Sequence, residues 1–393
     1  MRSTVARASL SSGALIGPLA APWALLLVGA CVGYAFTLDR TVASERLIGI
    51  LLSGVLSLFA VVALQVLNAQ TVRSLLLSTA VVSLLGGLWV ISASGADVFR
   101  GTLGGLLQTL FRPMFGAVKL TESVDITNTR FIVGYNGLAD LSLVAIFCAG
   151  AIWRDTKVAW AVVAIGLVWL VGTGARGGLT GLAAGVCAIG IFAWPRRYAL
   201  LALIAAPLTV ALAAAGVFDK GLEFSSTAGR LTYWTDLARL LVEYPLTGVG
   251  LGVNTANRVA LQYQINPDPE RIFYAHNTVL QTYLEQGPLG TLGMVRVPLM
   301  AVAAALIGRR SGVSDSRRPL LIAGLGIIGA MQAHGLTDQV VTTNVGTAIT
   351  LLALAGVVAG LSPKSQHALA RFVAGYALLP VALAGLLMLT VLA

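Results

Sequence analysis

The sequence predicts an all-α fold, a polytopic membrane helix bundle of about 11–12 transmembrane helices with a large external helical loop. Of the 393 residues, 57% are hydrophobic and only 11% are charged, whereas a soluble domain carries about 25% charged residues. The mean hydropathy is +0.86. Long apolar segments recur along the chain, and Lys and Arg gather in alternate short connections between them. These three observations exclude an ordinary soluble domain, and they make the net charge of +10 a matter of loops and lipid head groups.

Eleven segments approach the length of about 20 residues that a membrane-spanning helix requires. They are residues 14–36, 47–67, 74–95, 131–152, 157–174, 177–195, 197–217, 287–307, 318–335, 343–362 and 371–392. The first follows Arg2 and Arg7, as the apolar part of a signal peptide would. Because it has no clear small-residue cleavage site, we expect it to be the first membrane helix.

Basic residues in short connections predict the orientation of the helices. With the N-terminus inside, thirteen of the 26 basic residues lie in short inside connections. The short outside connections hold only Arg40, Arg46 and Arg176. This bias predicts an inside N-terminus, and it places the long polar intervals outside.

Two outside intervals are long, residues 96–130 and 218–286. In the first, residues 103–115 are apolar on one side and predict an interfacial or re-entrant helix. In the second, the segment Arg230 to Glu243 has helical periodicity and ends before Pro245. The chain therefore divides into N-terminal membrane helices (1–217), an external loop with amphipathic helices (218–286) and C-terminal membrane helices (287–393).

The external loop contains a glycine-rich stretch, GVGLGV at residues 248–253. It does not fit a P-loop, and no βαβ pattern surrounds it, so it is a poor candidate for a dinucleotide site. We interpret it as a close-packed turn beside a membrane span.

The predicted topology gathers unusual polar residues on the outside. They are Arg176, Arg230, His276, His334 and Asp338. ATP and nucleotide sugars are absent on that side, so an external enzyme must use a substrate that is already activated on a lipid. The topology therefore favours a polyprenyl-linked donor.

His276 is the strongest candidate for chemistry, because an imidazole exchanges a proton near neutral pH. The alternative is a capping or packing histidine. Arg176 lies among glycines in VGTGARGGLTG and Arg230 opens an amphipathic helix. Two guanidinium groups facing one cavity would suit a diphosphate leaving group. Their alternatives are a membrane-boundary anchor for Arg176 and a solvated helix residue for Arg230.

His334 and Asp338, in AHGLTDQ, form a second polar segment on the outside. They either shape the same cavity or have a merely structural role. The cysteines, Cys31, Cys148 and Cys187, are far apart in apolar segments, which is typical of small buried hydrophobic residues. The sequence shows no Cys/His cluster, so we expect no metal and no cofactor.

The segment around His276 resembles a known family. His276-Asn277, followed after nine residues by Gly287 and then Gly290, matches the pattern H[NSQ]-x9-GxxG of bacterial O-antigen ligases. Residues 128–143, 172–181 and 229–253 resemble further segments of the O-antigen ligase/polymerase superfamily. These segments together cover about a third of the chain.

The resemblance implies a metal-independent inverting glycosyltransferase of the GT-C type in the bacterial inner membrane, with its active site on the periplasmic side. Its donor would be a glycan on undecaprenyl diphosphate. A ligase of lipopolysaccharide biosynthesis transfers this glycan to lipid A-core, whereas a polymerase transfers it to the next repeat unit. The resemblance makes His276 catalytic, with Arg176 and Arg230 beside it. We expect Asn277, His334 and Asp338 to bind substrate, and we expect no nucleic-acid partner.

Three questions stay open at this point. The first is ligase or polymerase, between which the sequence does not decide, although the histidine motif favours a ligase. The ligases are expected to have twelve spans where the sequence shows eleven, and a further span in 96–130 would reverse the orientation on one side of it. We therefore prefer an interfacial or re-entrant segment there. The competing class of function is a lipid-linked sugar transporter, whose signature is ionisable residues deep within spans. Only Asp140 and Arg296 are placed well inside predicted spans.

Overall fold

The computed structural model describes residues 12–115, 134–195, 227–265, 274–338 and 343–375. Within these ranges the chain forms thirteen α-helices and no β-strand, apart from an isolated bridge between Val313 and Leu361. The predicted all-α bundle is therefore confirmed.

The helices are numbered here in chain order. They are α1 (Ser12–Ala35), α2 (Arg40–Gln65), α3 (Ala69–Ser94), α4 (Gly101–Phe115), α5 (Gly134–Gly150), α6 (Lys157–Gly172), α7 (Arg176–Ala193), α8 (Thr227–Glu243), α9 (Val253–Gln262), α10 (Thr278–Ser311), α11 (Arg318–Gly335), α12 (Asn344–Gly360) and α13 (Pro363–Gly375).

Five of the described helices are long and apolar enough to cross a membrane, namely α1, α2, α3, α7 and α10. Three shorter apolar helices, α5, α6 and α12, accompany them. The predicted spans at 197–217 and, beyond residue 375, at 371–392 lie outside the described residues. The chain is a multi-pass membrane protein, and the count of eleven spans stays a prediction.

The bundle is held by close helix pairs, chiefly α1 with α10, α7 with α11, α2 with α12, and α3 with α5. Glycines allow the tightest of these contacts. A Cβ atom built on Gly29 of α1 would lie 2.4 Å from the backbone nitrogen of Gly290 in α10. Small residues at such crossings let helix backbones approach each other, which is how helices associate where lipid surrounds them.

The connections between helices fall at two ends of the bundle. At one end, Arg73 pairs with Asp155 at 3.2 Å, and Arg309 donates to the carbonyl of Ile191 at 3.1 Å. The other end, called the site end below, gathers the starts of α2, α5, α7 and α10. This grouping is the one that the predicted alternation of inside and outside connections requires.

Helix α4 lies at the site end. The backbone N–H of Arg100, just before α4, donates to the carbonyl of Gly172 at the end of α6 at 2.7 Å. Leu107 is buried against a small core with Phe99 and Trp169, while Leu106 and Leu110 on the opposite side are exposed. The predicted helix over 103–115 is confirmed, and its interfacial position stays a prediction.

The glycine-rich stretch is wedged between the end of α1 and the start of α10. The N–H of Val249 donates to the carbonyl of Leu284 at 2.7 Å, and the N–H of Leu251 donates to the carbonyl of Gly33 at 2.9 Å. Gly248 has a φ of +64°, and a Cβ there would lie 2.4 Å from the carbonyl oxygen of Leu284. The stretch is therefore the close-packed turn that the sequence predicts.

Helix α10 begins at the candidate histidine segment and continues into the membrane-spanning length. Asn277 caps it, because its side chain accepts from the N–H of Leu280 at 3.0 Å. At Gly287 the backbone is not helical, with φ +63° and ψ −163°. The boundary predicted at residue 287, between the external loop and the next span, thus coincides with an interruption inside one long helix.

Candidate functional site

His276 lies at the site end, directly before the Asn277 cap of α10. Its backbone φ is +49°, a left-handed conformation that residues other than glycine adopt rarely. The ring of Tyr274 lies 4.3 Å from the imidazole, centroid to centroid. The His276 side chain is 21% exposed, so it is partly open to solvent.

Asp338 faces this imidazole. Its Oδ1 lies 3.4 Å from Nδ1 of His276, and its Oδ2 accepts from the side-chain amide of Asn136 in α5. The backbone carbonyl of Asp338 accepts from the hydroxyl of Thr278 at 3.3 Å. The 3.4 Å approach is a close ionic contact and not a hydrogen bond, since Nδ1 of His276 has no hydrogen-bond partner among the described residues. A carboxylate this near to Nδ1 favours the tautomer with its proton there, which leaves Nε2 as the proton acceptor.

A second histidine and carboxylate lie one helical turn away. Nδ1 of His334 donates to Oδ1 of Asp140 at 2.7 Å, and both side chains are buried. Asn136 and Asp140 share one face of α5, while His334 and Asp338 lie four residues apart at the end of α11. The two helices are therefore joined by two polar bridges, of which one touches His276.

The segment AHGLTDQ holds two of the residues predicted to bind substrate. Asp338 contacts His276, whereas His334 is buried in the bundle. His334 is only 1% exposed. A Cβ built on Gly177 would lie 2.4 Å from Cδ2 of His334 and 2.6 Å from the hydroxyl oxygen of Thr337. The imidazole of His334 is thus packed against the first turn of α7.

Arg176 is the first residue of α7 and is exposed. Because Gly177 contacts the ring of His334, Arg176 starts its helix beside the end of α11 that carries Asp338. The structure thus brings Arg176 to the same end of the bundle as His276, as the sequence predicts.

Arg230 lies in the first turn of α8. One turn later, Nε1 of Trp234 donates to the carbonyl of Ala275 at 2.6 Å. Residues four apart share a helix face, and four residues advance about 6 Å along the axis. The backbone of Arg230 is therefore on the face of α8 that meets the His276 segment.

Asn277 was predicted to bind substrate, and both ends of its side-chain amide are occupied within the protein. Its Oδ1 caps α10, and its Nδ2 donates to the carbonyl of Leu336 at 3.2 Å. Asn277 therefore joins the start of α10 to the residues just after α11.

Two residues near the site were missed in the sequence. The guanidinium of Arg100 lies 3.9 Å above the ring of Tyr135, the neighbour of Asn136, and Arg100 is exposed. Arg100 stands in the long interval 96–130, where no motif singles it out. Asn136 stands within the segment 128–143 that resembles the superfamily, and that resemblance is the signal that would have found it.

Arg46 requires a correction. The sequence places it in a short outside connection, but it lies inside α2 and is 2% exposed. Its Nε is 3.8 Å from Oε2 of Glu285, and both side chains are buried. The predicted span at 47–67 begins too late, because α2 already starts at Arg40 and the arginine is compensated inside the bundle.

The described residues contain no group of three or more His, Cys, Asp or Glu side chains placed to hold a metal ion. What they offer is a histidine beside a carboxylate, with Arg176 as the first residue of α7 and Arg230 in the first turn of α8. A histidine beside a carboxylate is able to accept a proton, and a guanidinium group is able to bind an anion.

Comparison with known proteins identifies the central part of the chain. Residues 161–295 match a family model described as O-antigen ligase. The match covers about a third of the chain and contains Arg176, Arg230 and His276, whereas Asn136 and Asp338 lie outside it. No curated protein sequence matches the chain. The resemblance to the O-antigen ligase-like superfamily is confirmed, and it supports a membrane enzyme of the ligase or polymerase type.

Proposed function

We propose that this chain, which carries the O-antigen ligase match, is a membrane glycosyltransferase that moves a glycan from undecaprenyl diphosphate to an acceptor sugar hydroxyl. The acceptor that we propose is lipid A-core, as for an O-antigen ligase. The observation that carries the proposal is the position of His276, with Nδ1 at 3.4 Å from Asp338 at the end of the bundle where α7 begins with Arg176.

The proposed reaction is a single displacement at the anomeric carbon. The acceptor hydroxyl oxygen bonds to that carbon while the bond between the carbon and the diphosphate oxygen breaks, so the anomeric configuration inverts. Nε2 of His276 takes the hydroxyl proton, and undecaprenyl diphosphate leaves with the bonding electron pair. Asp338 stabilises the imidazolium that forms, as a carboxylate does when it orients a catalytic histidine.

Arg176 and Arg230 would neutralise the diphosphate as negative charge develops on it. A guanidinium group offers paired N–H donors that match phosphate oxygens, and its charge is retained at any physiological pH. In this proposal the arginines supply the electrostatic stabilisation, and the reaction is independent of a metal ion.

Asn277 and His334 have supporting roles in the proposal. The contacts of Asn277 with Leu280 and Leu336 hold the His276 segment on the end of α11. The hydrogen bond between His334 and Asp140 ties the same end of α11 to α5. We therefore propose that Asp338 acts on His276. Asn277 would contact substrate only through the part of its side chain that is exposed.

For the location, we propose the bacterial inner membrane with the site end facing the periplasm. Lipid-linked donors are available there and nucleotide-activated donors are not. The arrangement of basic residues in the connections supports this orientation.

A polymerase is the alternative that uses the same donor and the same site. A transporter is favoured by one observation, the ionisable residues Arg46 and Glu285 buried inside helices long enough to cross a membrane. Arg46 and Glu285 face each other near the site end. We interpret this buried pair as a structural support of the candidate site and not as part of a transport path. Uptake of a labelled lipid-linked sugar, measured beside glycan transfer, separates a transporter from a transferase.

The test of the proposed function is glycan transfer in membranes that contain His276→Ala at the same expression level as the wild type. Transfer should fall to background, because no other group is assigned to take the proton. His367→Ala is the matched control, since His367 is exposed on α13 and should leave transfer unchanged. Normal transfer by His276→Ala would sink the proposal, and the product identifies the acceptor: lipid A-core for a ligase, a lengthened carrier-linked ladder for a polymerase.

A further inference from the structure

A buried polar contact on α10 reaches back to the residue before His276. Oε1 of Gln281 accepts from the N–H of Ala275 at 2.8 Å. Nε2 of the same amide donates to Oε1 of Glu285 at 2.7 Å. Gln281 and Glu285 are 0% and 1% exposed, so water does not compete for these bonds.

The contact continues from Glu285 into two other helices. Oε2 of Glu285 lies 3.8 Å from Nε of Arg46 in α2. Nη1 of Arg46 donates to Oδ1 of Asn344 at 3.0 Å, at the start of α12. The polar chain therefore runs from α12 and α2 through α10 to the backbone of Ala275.

The other side of Ala275 is also held. Its carbonyl accepts from Nε1 of Trp234 at 2.6 Å, so α8 fixes the peptide that joins Ala275 to His276. We name Gln281 and Trp234, with their bonds to the N–H and the carbonyl of Ala275, the Ala275 clamp. His276 follows the clamp directly with its φ of +49°, a conformation that persists only where the surroundings impose it.

We propose that the Ala275 clamp is a positioning device that holds His276 in its left-handed conformation in front of Asp338, and that Glu285 and Arg46 orient the Gln281 amide within it. An ionised carboxylate only accepts hydrogen bonds. Glu285 therefore requires the NH₂ end of Gln281 to face it, which turns Oε1 toward the N–H of Ala275. Arg46 balances the buried charge of Glu285. A buried ion pair is weak evidence for stability. In this proposal the pair of Arg46 and Glu285 instead fixes the orientation of the Gln281 amide.

The decisive variant is Gln281→Leu, which keeps the size of the side chain and removes both of its hydrogen bonds. The clamp part of the inference predicts a looser His276 and hence a severalfold faster modification of its imidazole by diethyl pyrocarbonate, followed by mass spectrometry in the detergent-solubilised full chain. His367, on the opposite end, is the internal reference in the same sample. The part that rests on the proposed function predicts that kcat for glycan transfer falls about 100-fold, as a misplaced catalytic group does, with the KM for the donor little changed.

Gln286→Leu is the matched control. Gln286 lies five residues further along α10 and is 1% exposed, yet neither its amide nitrogen nor its amide oxygen has a hydrogen-bond partner in the described parts of the chain. The same substitution at this position should leave both readouts at the wild-type level. The two glutamines share their burial and their helix, so the comparison isolates the hydrogen bonds that Gln281 makes to Ala275 and Glu285.

Two further variants keep the test decisive if Gln281→Leu does not fold. Gln281→Glu combined with Glu285→Gln exchanges the two side chains, keeps the net charge and leaves an acceptor for the N–H of Ala275, so it should restore most of the lost activity and the slow modification of His276. Trp234→Phe removes the donor to the carbonyl of Ala275 and retains an aromatic ring, and it should accelerate the modification of His276 as Gln281→Leu does.

The outcomes separate the two proposals. If the wild type transfers glycan, and Gln281→Leu equals Gln286→Leu in both transfer and His276 modification, the clamp is disproved while the proposed function stands. If the wild type transfers no glycan but Gln281→Leu still accelerates modification of His276 alone, the clamp stands and the proposed function fails. Wild-type modification rates in both Trp234→Phe and Gln281→Leu would overturn the inference in any case.

Discussion

The carboxylate of Asp338 lies 3.4 Å from Nδ1 of His276, although the two residues flank different helices. His276 precedes α10, and Asp338 follows α11. Asn136 of α5 holds the second oxygen of the same carboxylate, so three segments of the bundle meet at one imidazole. A site assembled this way is sensitive to the charge of Asp338 and to the packing of the helix ends.

Asp338→Asn should lower glycan transfer by about 100-fold or more, because general acid–base catalysis contributes roughly that factor. The amide is nearly the size of the carboxylate, but it does not stabilise an imidazolium at Nδ1 and does not select the tautomer. The measurement is the initial rate of transfer at saturating donor. Asp315→Asn, an exposed aspartate at the opposite end of the bundle, should behave like the wild type, and a fully active Asp338→Asn would rule out this role.

Arg176→Ala should raise the KM for the lipid-linked donor and lower kcat, since the guanidinium is proposed to meet the diphosphate in the ground state and in the transition state. Arg176→Lys should recover only part of the activity, because an ammonium group does not make the paired hydrogen bonds. Steady-state kinetics with varied donor concentration provides both values. The comparison variant is Arg310→Ala, an exposed arginine at the end of α10, for which no change in donor KM is expected.

Arg100→Ala should weaken donor binding as well, because this exposed guanidinium lies over Tyr135 beside the residue that holds Asp338. The expected result is a severalfold higher KM for the donor with a smaller effect on kcat than Arg176→Ala has. Arg154 is a suitable reference, since its guanidinium lies over the ring of Trp153 at 5.0 Å at the opposite end. Equal donor KM values for Arg100→Ala and Arg154→Ala would contradict a role for Arg100 at the site.

Gly177→Ala should destabilise the bundle by about 1–3 kcal/mol, the usual cost of forcing an extra methyl group into a packed interior. The new Cβ would meet the ring of His334 at 2.4 Å and push the end of α11 away from α7. Thermal unfolding in detergent should show a lower Tm, accompanied by reduced transfer. At Gly105 of α4 a Cβ meets no atom within 4 Å, so Gly105→Ala should leave Tm unchanged or slightly higher.

Much of the bundle was predictable because membrane helices carry their signal within single segments. The helices α1, α3, α6 and α11 follow directly from apolar runs, and the end of α8 at Glu243 follows from the proline two residues later. The domain boundary predicted at residue 287 coincides with the non-helical backbone of Gly287 inside α10, and the division into domains stays a prediction.

The candidate site was only partly predictable. His276, Arg176 and Arg230 became candidates through residue type, spacing and sidedness, and their roles stay predictions. No partner of His276 was predicted, because a contact between the start of α10 and the end of α11 has no signature in either segment. Arg46 and Glu285 were missed for the opposite reason: each looks like a boundary charge by itself, and only the fold shows that the two charges compensate each other.

Asp338 follows α11, which begins after the matched region 161–295 has ended, and Asn136 precedes that region. A hybrid protein that receives only residues 161–295 from this chain would inherit the histidine and both arginines without the carboxylate that faces the histidine. Such a hybrid should be active only where its recipient already supplies an acidic side chain after α11 and an amide at the start of α5. On the proposed function, transfer of the activity to a recipient therefore requires the parts of the bundle that supply Asp338 and Asn136, in addition to the region that matches the family model.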